Sequence, residues 1–158
     1  MRAFTIEETK KFMSALLVEN TFDNFAVSEL KLTNAGYYEI DGHRNASFYS
    51  SEEFEELPEK DFLLWSEIKN YVYGLIKGKK TPLSLKICFR LNGENTGKVV
   101  RDCKTSIPLE QVGGIFLNIQ FDKEGLQVTT GTSLKSFSMD RSLDNAWDEY
   151  AAKFIARI

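Results

Sequence analysis

The chain has 158 residues, 42% apolar and 27% charged, with a net charge of −3. That length supports one hydrophobic core without disulfides or metals, so a single domain over residues 1–158 is expected. There is no apolar run of about eighteen residues, and Met1-Arg2-Ala3-Phe4-Thr5-Ile6 gives way at once to Glu7 and Glu8, so neither a membrane span nor a secretory signal is expected and the cytoplasm is the predicted compartment.

Along the chain, Thr5 followed by Glu8 has the spacing of a capping box and predicts a helix to about Val18, with Ile6, Thr9, Met13, Leu16 and Leu17 on one face. Phe25–Leu32 and Tyr37–Ile40 flank Asn34-Ala35-Gly36 and read as a hairpin, although Glu29 and Lys31 leave the buried face of its first strand undecided. Residues 41–60 form the longest predicted loop. Its Phe48, Tyr49 and Phe54 are a candidate protein-contact surface, set among Glu52, Glu53, Glu55, Glu56 and Glu59. A second helix follows from the spacing of Phe62, Trp65, Ile68, Val72, Leu75 and Ile76, ending before Gly78.

Leu83, Leu85, Ile87, Phe89 and Leu91 alternate with Ser84, Lys86, Cys88 and Arg90, the pattern of a strand with one buried face. Asn92–Ser106 is polar and indistinct, readable as a loop with one helical turn or as an edge strand, and residues 92–112 stay unassigned. Ile115, Leu117, Ile119 and Phe121 alternate again, Asp122-Lys123-Glu124-Gly125 reads as a four-residue hairpin loop, and Leu126–Thr130 with Leu134–Met139 predict a meander around Gly131. Ser142 is the expected cap of a last helix carrying Leu143, Ala146, Trp147, Tyr150, Ala151, Phe154, Ile155 and Ile158 on one stripe. The fold class expected from this order is α+β: a mainly antiparallel sheet with about three helices packed on one face.

Few residues suggest chemistry. His43, the sole histidine, stands beside Arg44 with no Ser or Cys in a nucleophile setting. Cys88 and Cys103 lack the spacing of a redox pair or a zinc site and are expected to be reduced thiols. Asp41 with Asp23 or Glu39 could form a carboxylate pair, while the 52–59 acids lack the spacing and glycine of a calcium loop. Gly113-Gly114 and Gly131-Thr132-Ser133-Leu134-Lys135 invite comparison with phosphate cradles, but Lys135 leads into a predicted strand, so ordinary turns are expected. No metal and no cofactor is expected.

Charge is the most uneven property. Residues 69–104 hold nine Lys or Arg against Glu94 and Asp102, a net of plus seven in a chain of net −3. Lys77, Lys79, Lys80, Lys86 and Arg90 are therefore candidate contacts for an anion or nucleic acid. The competing expectation, given slight preference, is that the acidic segment 52–61 folds back over these cations.

The phrases Lys11-Phe12-Met13-Ser14-Ala15-Leu16-Leu17, Thr21-Phe22-Asp23-Asn24-Phe25, Leu75-Ile76-Lys77-Gly78-Lys79-Lys80-Thr81-Pro82-Leu83 and Thr129-Thr130-Gly131-Thr132-Ser133-Leu134-Lys135 resemble a small family of bacterial proteins described only as a domain of unknown function. The resemblance covers nearly the whole chain and implies no activity. At the level of fold, the opening strand, helix and hairpin and the segment Gly125–Thr130 resemble subdomains of DNA sliding clamps, from which the last helix and the acidic loop depart. No clamp residue is carried over.

A non-enzymatic interaction module, binding another protein or a second copy of itself, is the function these features favour. A nucleic-acid-associated, clamp-like accessory protein is the alternative. The third reading is an enzyme on a small anionic substrate, acting through Arg90, Lys86 and His43.

Overall fold

Strand alternation and helical stripes assemble around one sheet. The computed structural model describes residues 1–158. The strands are β1 (Ala3–Ile6), β2 (Ala26–Thr33), β3 (Tyr37–Asp41), β4 (Leu63–Leu64), β5 (Ser84–Arg90), β6 (Val112–Asp122) and β7 (Gly125–Leu134). The helices are α1 (Thr9–Leu17), α2 (Ser51–Glu55), α3 (Trp65–Ile76), α4 (Gly93–Asp102) and α5 (Ser142–Ala156). The sheet order is β1-β7-β6-β5-β2-β3, with β4 paired to β2, and every pairing is antiparallel.

Period-two alternation gives the sheet two unlike faces. Leu30, Leu32, Leu85, Ile87, Phe89, Leu117, Ile119, Leu126 and Val128 are buried on one, where they meet Phe12 and Leu16 of α1, Trp65 and Val72 of α3, and Leu143 and Trp147 of α5. The other face carries, in register across four strands, Lys31, Lys86, Gln120 and Gln127, with Glu29, Cys88, Asn118 and Thr129 beside them. Phe22 knits the covered face together, with its ring 5.5 Å from Phe12, 5.6 Å from Phe89 and 5.2 Å from Phe154. Trp65, fully buried, donates Nε1–H to the Leu16 carbonyl at 2.6 Å and so fixes α3 against α1.

A β-bulge settles the face of β2 that alternation left open. The pairing with β5 slips between Val27 and Glu29, so Val27 and Leu30 both point into the core although they are three residues apart. Gly42 makes the bulge possible by lying against the Val27 backbone, where an added Cβ would stand 1.6 Å from the Val27 oxygen.

Several expectations are corrected. Thr5 lies in β1, paired with Gln127, so it caps nothing; α1 starts at Thr9 with no side-chain cap. The 41–60 loop contains a turn of 3₁₀ helix at Ala46–Phe48 and α2, started by a capping box between Ser50 and Glu53. The β6–β7 loop is only Lys123-Glu124 between paired Asp122 and Gly125, with Gly125 at φ +122°. The predicted meander is one continuous strand: Gly131 pairs with Phe116 in mid-strand, and residues 135–141 are irregular. Ser142 is not the cap of α5; the Asp140 carboxylate accepts the Ser142 N–H at 2.9 Å, and the Ser142 hydroxyl is buried without a partner.

Besides the three predicted helices there are α2 and α4, so five in all. The only buried apolar side chains of α4 are Val99 and Val100, and two of its ten residues are glycines, so it is amphipathic but too polar to show an apolar stripe in the sequence. It is started by Asn92, whose Oδ1 accepts the Asn95 N–H at 2.8 Å, and it packs on α5. No helix is long and apolar enough to cross a membrane.

Candidate functional site

The expected basic patch is dispersed. Lys77, Lys79 and Lys80 lie exposed in the turn between α3 and β5, and Lys86 on the open face of the sheet. Lys69 is buried, its ammonium held by Asp23 Oδ1 at 2.6 Å and the Glu19 carbonyl at 2.8 Å. Arg90 is wedged between Phe62 and Phe116, its guanidinium carbon 4.3 Å and 5.2 Å from the ring centres, and donates Nη2–H to the Gly113 carbonyl at 2.8 Å. Gly113 and Gly114 belong to β6 and build no phosphate loop.

The acidic cover is not there. No carboxylate of residues 52–61 forms an ion pair with a cation of 69–104, whose partners are Asp23 for Lys69 and Glu94 for Lys98. Glu59, the buried acid of that segment, accepts instead from backbone: Gly93 N–H at 3.1 Å, opening α4, and Asp61 N–H at 2.8 Å. Backbone donors at a helix start compete for a carboxylate without needing a flexible ammonium to be immobilised.

His43 and Arg90 both lie against Phe62, but Lys86 stands four residues down the strand, about 13 Å away, so the three do not meet. His43 Nδ1 is 2.6 Å from Asp41 Oδ1, and the His43 N–H bond to Asp41 holds that carboxyl below its ordinary range. Asp23 is taken by Lys69, so no Asp23–Asp41 pair forms. No three His, Cys, Asp or Glu side chains gather into a metal-ligand group. Both cysteines are free thiols, and burial pushes the Cys88 thiol up, which keeps it protonated.

Of the predicted aromatic contact residues only Phe48 stands free, 82% exposed. The Tyr49 hydroxyl accepts from Arg44 Nη1 at 2.9 Å, and Phe54 lies under the Lys60 ammonium. Arg44 is the organiser here: wholly buried, it donates to both oxygens of Glu67 at 2.9 and 2.8 Å and to the Phe62 carbonyl at 2.9 Å. Glu67 also accepts the Leu64 N–H at 2.7 Å, and the Arg44 bonds hold its carboxyl below the ordinary range.

A cleft that no sequence pattern pointed to lies between α4, α5 and the segment after α1. It encloses about 340 Å³. Phe25, Leu91, Val99, Trp147 and Phe154 line it with apolar surface. That surface is fixed from behind, since Trp147 donates Nε1–H to the Phe116 carbonyl at 2.7 Å and Phe154 packs edge-on to Phe25 at 5.6 Å. Thr21, Asn24, Asn95, Lys98 and Arg157 supply polar groups around it. Asp102, the one carboxylate in the lining, already accepts from the Tyr150 hydroxyl at 3.3 Å. Burial and the Asp102 charge together raise the Tyr150 phenol, which stays a donor. The side chains of Thr21, Asn24, Asn95 and Arg157 make no hydrogen bond within the chain, although their neighbours around the cleft do. Sequence reasoning missed this site because its lining comes from three segments, the outer two about 130 residues apart, and the middle one is a helix too polar to show an apolar stripe.

Residues 15–158 match the model of a family of unknown function (DUF5721), and the chain belongs to that family. No curated protein and no solved structure matches it.

Proposed function

We propose that this protein is a non-enzymatic binding module that takes part of a protein partner into the cleft between α4 and α5. One observation carries the reading: a preformed aromatic floor lies beneath polar side chains that have no partner in the chain. Ligand sites have this composition, apolar walls with a few unpaired polar groups and a volume of about 300 to 1,000 Å³. Rigid aromatic surface is also what anchors protein interfaces, since it buries much area at little entropic cost. Nucleic acid as the partner has less support. It needs cations gathered along one face, and here Lys69 and Arg90 are consumed by packing while the rest are spread over the α3–β5 turn, the open sheet face and α4.

The test is a photo-crosslinking residue placed at Asn95 beside the cleft and, separately, at Glu52 on α2, in cells that make the protein. A discrete adduct is expected from position 95, absent from 52, and suppressed when Arg157→Trp fills the cleft. An adduct of twice the chain mass identifies the partner as a second copy. Equal adducts from both positions, an adduct indifferent to Arg157→Trp, or none from position 95 would overturn the reading.

A further inference from the structure

We infer that the cleft between α4 and α5 receives the C-terminal residue of a partner polypeptide, its apolar side chain on the aromatic floor and its carboxylate between Lys98 and Arg157; this rests on the reading of the cleft as the binding site. Charge is the first argument. Two cations line the cleft, Lys98 on α4 and Arg157 immediately after α5, against the single carboxylate of Asp102. Asp102 is engaged by Tyr150 at 3.3 Å, and Lys98 has only a loose 3.9 Å contact with Glu94, so both cations remain able to take an incoming anion. Arg157 offers a planar fork suited to a carboxylate, and Lys98 a mobile ammonium that can close on it.

Size is the second argument. About 340 Å³ is at the low end for a ligand cleft and suits one large apolar side chain with its adjoining backbone, rather than a helix laid along a groove. Unused hydrogen-bonding groups give the third. Thr21, Asn24 and Asn95 present donors and acceptors that a small organic acid would leave idle, whereas the amides of an extended chain end can pair with them. A chain terminus also places a carboxylate on the same Cα as the buried side chain, the shortest separation a polypeptide can provide.

Two pools of N-acetylated tetrapeptides test this. Both are randomised over apolar residues at the last two positions, one made as free acids and the other as C-terminal amides, and retention by the full chain is read by equilibrium dialysis with mass spectrometry. N-acetylated single apolar amino acids form a third arm. Retention of the acids at least about tenfold above the amides is expected, with that preference lost in Lys98→Gln/Arg157→Gln, whose exposed positions leave the melting temperature unchanged. Acids and amides retained equally, both abolished by Asn95→Trp, would overturn the carboxylate assignment and leave the cleft as the binding site. Single amino acids retained as well as tetrapeptides would make the ligand a small acid and overturn the polypeptide assignment. A preference for acids that survives Lys98→Gln/Arg157→Gln overturns the role of these cations, and retention of neither pool overturns both the inference and the reading beneath it.

Discussion

Thr130 of β7 donates its hydroxyl to Asp148 of α5 at 2.5 Å, and the matching pair one step along is Thr132 with Asp144. Two strand residues span about 6.8 Å and four helical residues about 6 Å, so threonines two apart meet aspartates four apart without distortion. The same hydroxyl accepts the Arg2 N–H at 2.8 Å, which ties β1, β7 and α5 into one joint and holds the α5 wall of the cleft in place.

Thr130→Val is expected to lower stability by about 1–2 kcal/mol, since it strips a part-buried carboxylate of its donor. For a chain of this length that is a fall of roughly 2–8 °C in Tm. Asp148→Ala should cost a similar amount, and the double variant less than the sum, because the two side chains share one interaction. Additive losses in denaturant titrations would show that the bond carries no coupling.

Arg44→Met should destabilise by about 2–3 kcal/mol. Removing one member of a buried ion pair strands the other, and the figure stays at the lower end because the Glu67 side chain is 35% exposed. The Tyr49 hydroxyl and the Phe62 carbonyl lose their donor at the same time, so protease cleavage should rise within residues 44–62.

Acid should act through Glu67. Its folded-state pKa lies below the ordinary value of 4.5, so its contribution is fully present above that value and is lost as pH falls through the depressed one. Urea titrations from pH 6 to pH 3 should show the wild type losing stability across this window and Glu67→Gln showing a shallower loss. Parallel curves would remove Glu67 from the acid response.

Asp140 fastens two segments by accepting from Thr105 and Ser106 through one oxygen and from Ser142 through the other. The Ser106 and Ser142 bonds keep its carboxyl far below the usual range. Asp140→Asn, which weakens charge-assisted acceptance, should speed amide hydrogen exchange at Ser106 and Ser142 while leaving the β5–β6 amides unchanged.

Gly42→Ala should be among the most damaging single changes, costing more than about 3 kcal/mol. A methyl group there meets the Val27 carbonyl oxygen at 1.6 Å, and the bulge cannot move without breaking the Gly42 N–H bond to Ser28 and the Leu63 N–H bond to Gly42. Expression and melting temperature measure it directly.

Local pattern alone determined the segments whose own residues repeat at a structural period. β5 and β6 were legible because each alternates over a buried face, α3 and α5 because their apolar residues recur at helical spacing, and the β2–β3 and β6–β7 turns because Gly and Asn mark them. From these the α+β class and the antiparallel sheet followed. Tertiary structure decided what depends on partners distant in sequence. Packing on α5 made a helix of Gly93–Asp102, the bulge beside Gly42 chose the face of β2, and pairing with β6 kept β7 continuous through Gly131. It also chose which charges stay free: Lys69 looked like part of a basic surface and is buried on Asp23, whereas Lys98 and Arg157 face a common cleft. Periodicity reports how a segment relates to its own axis, but a cleft is a relation between segments, set only when hydrophobic burial brings their faces together.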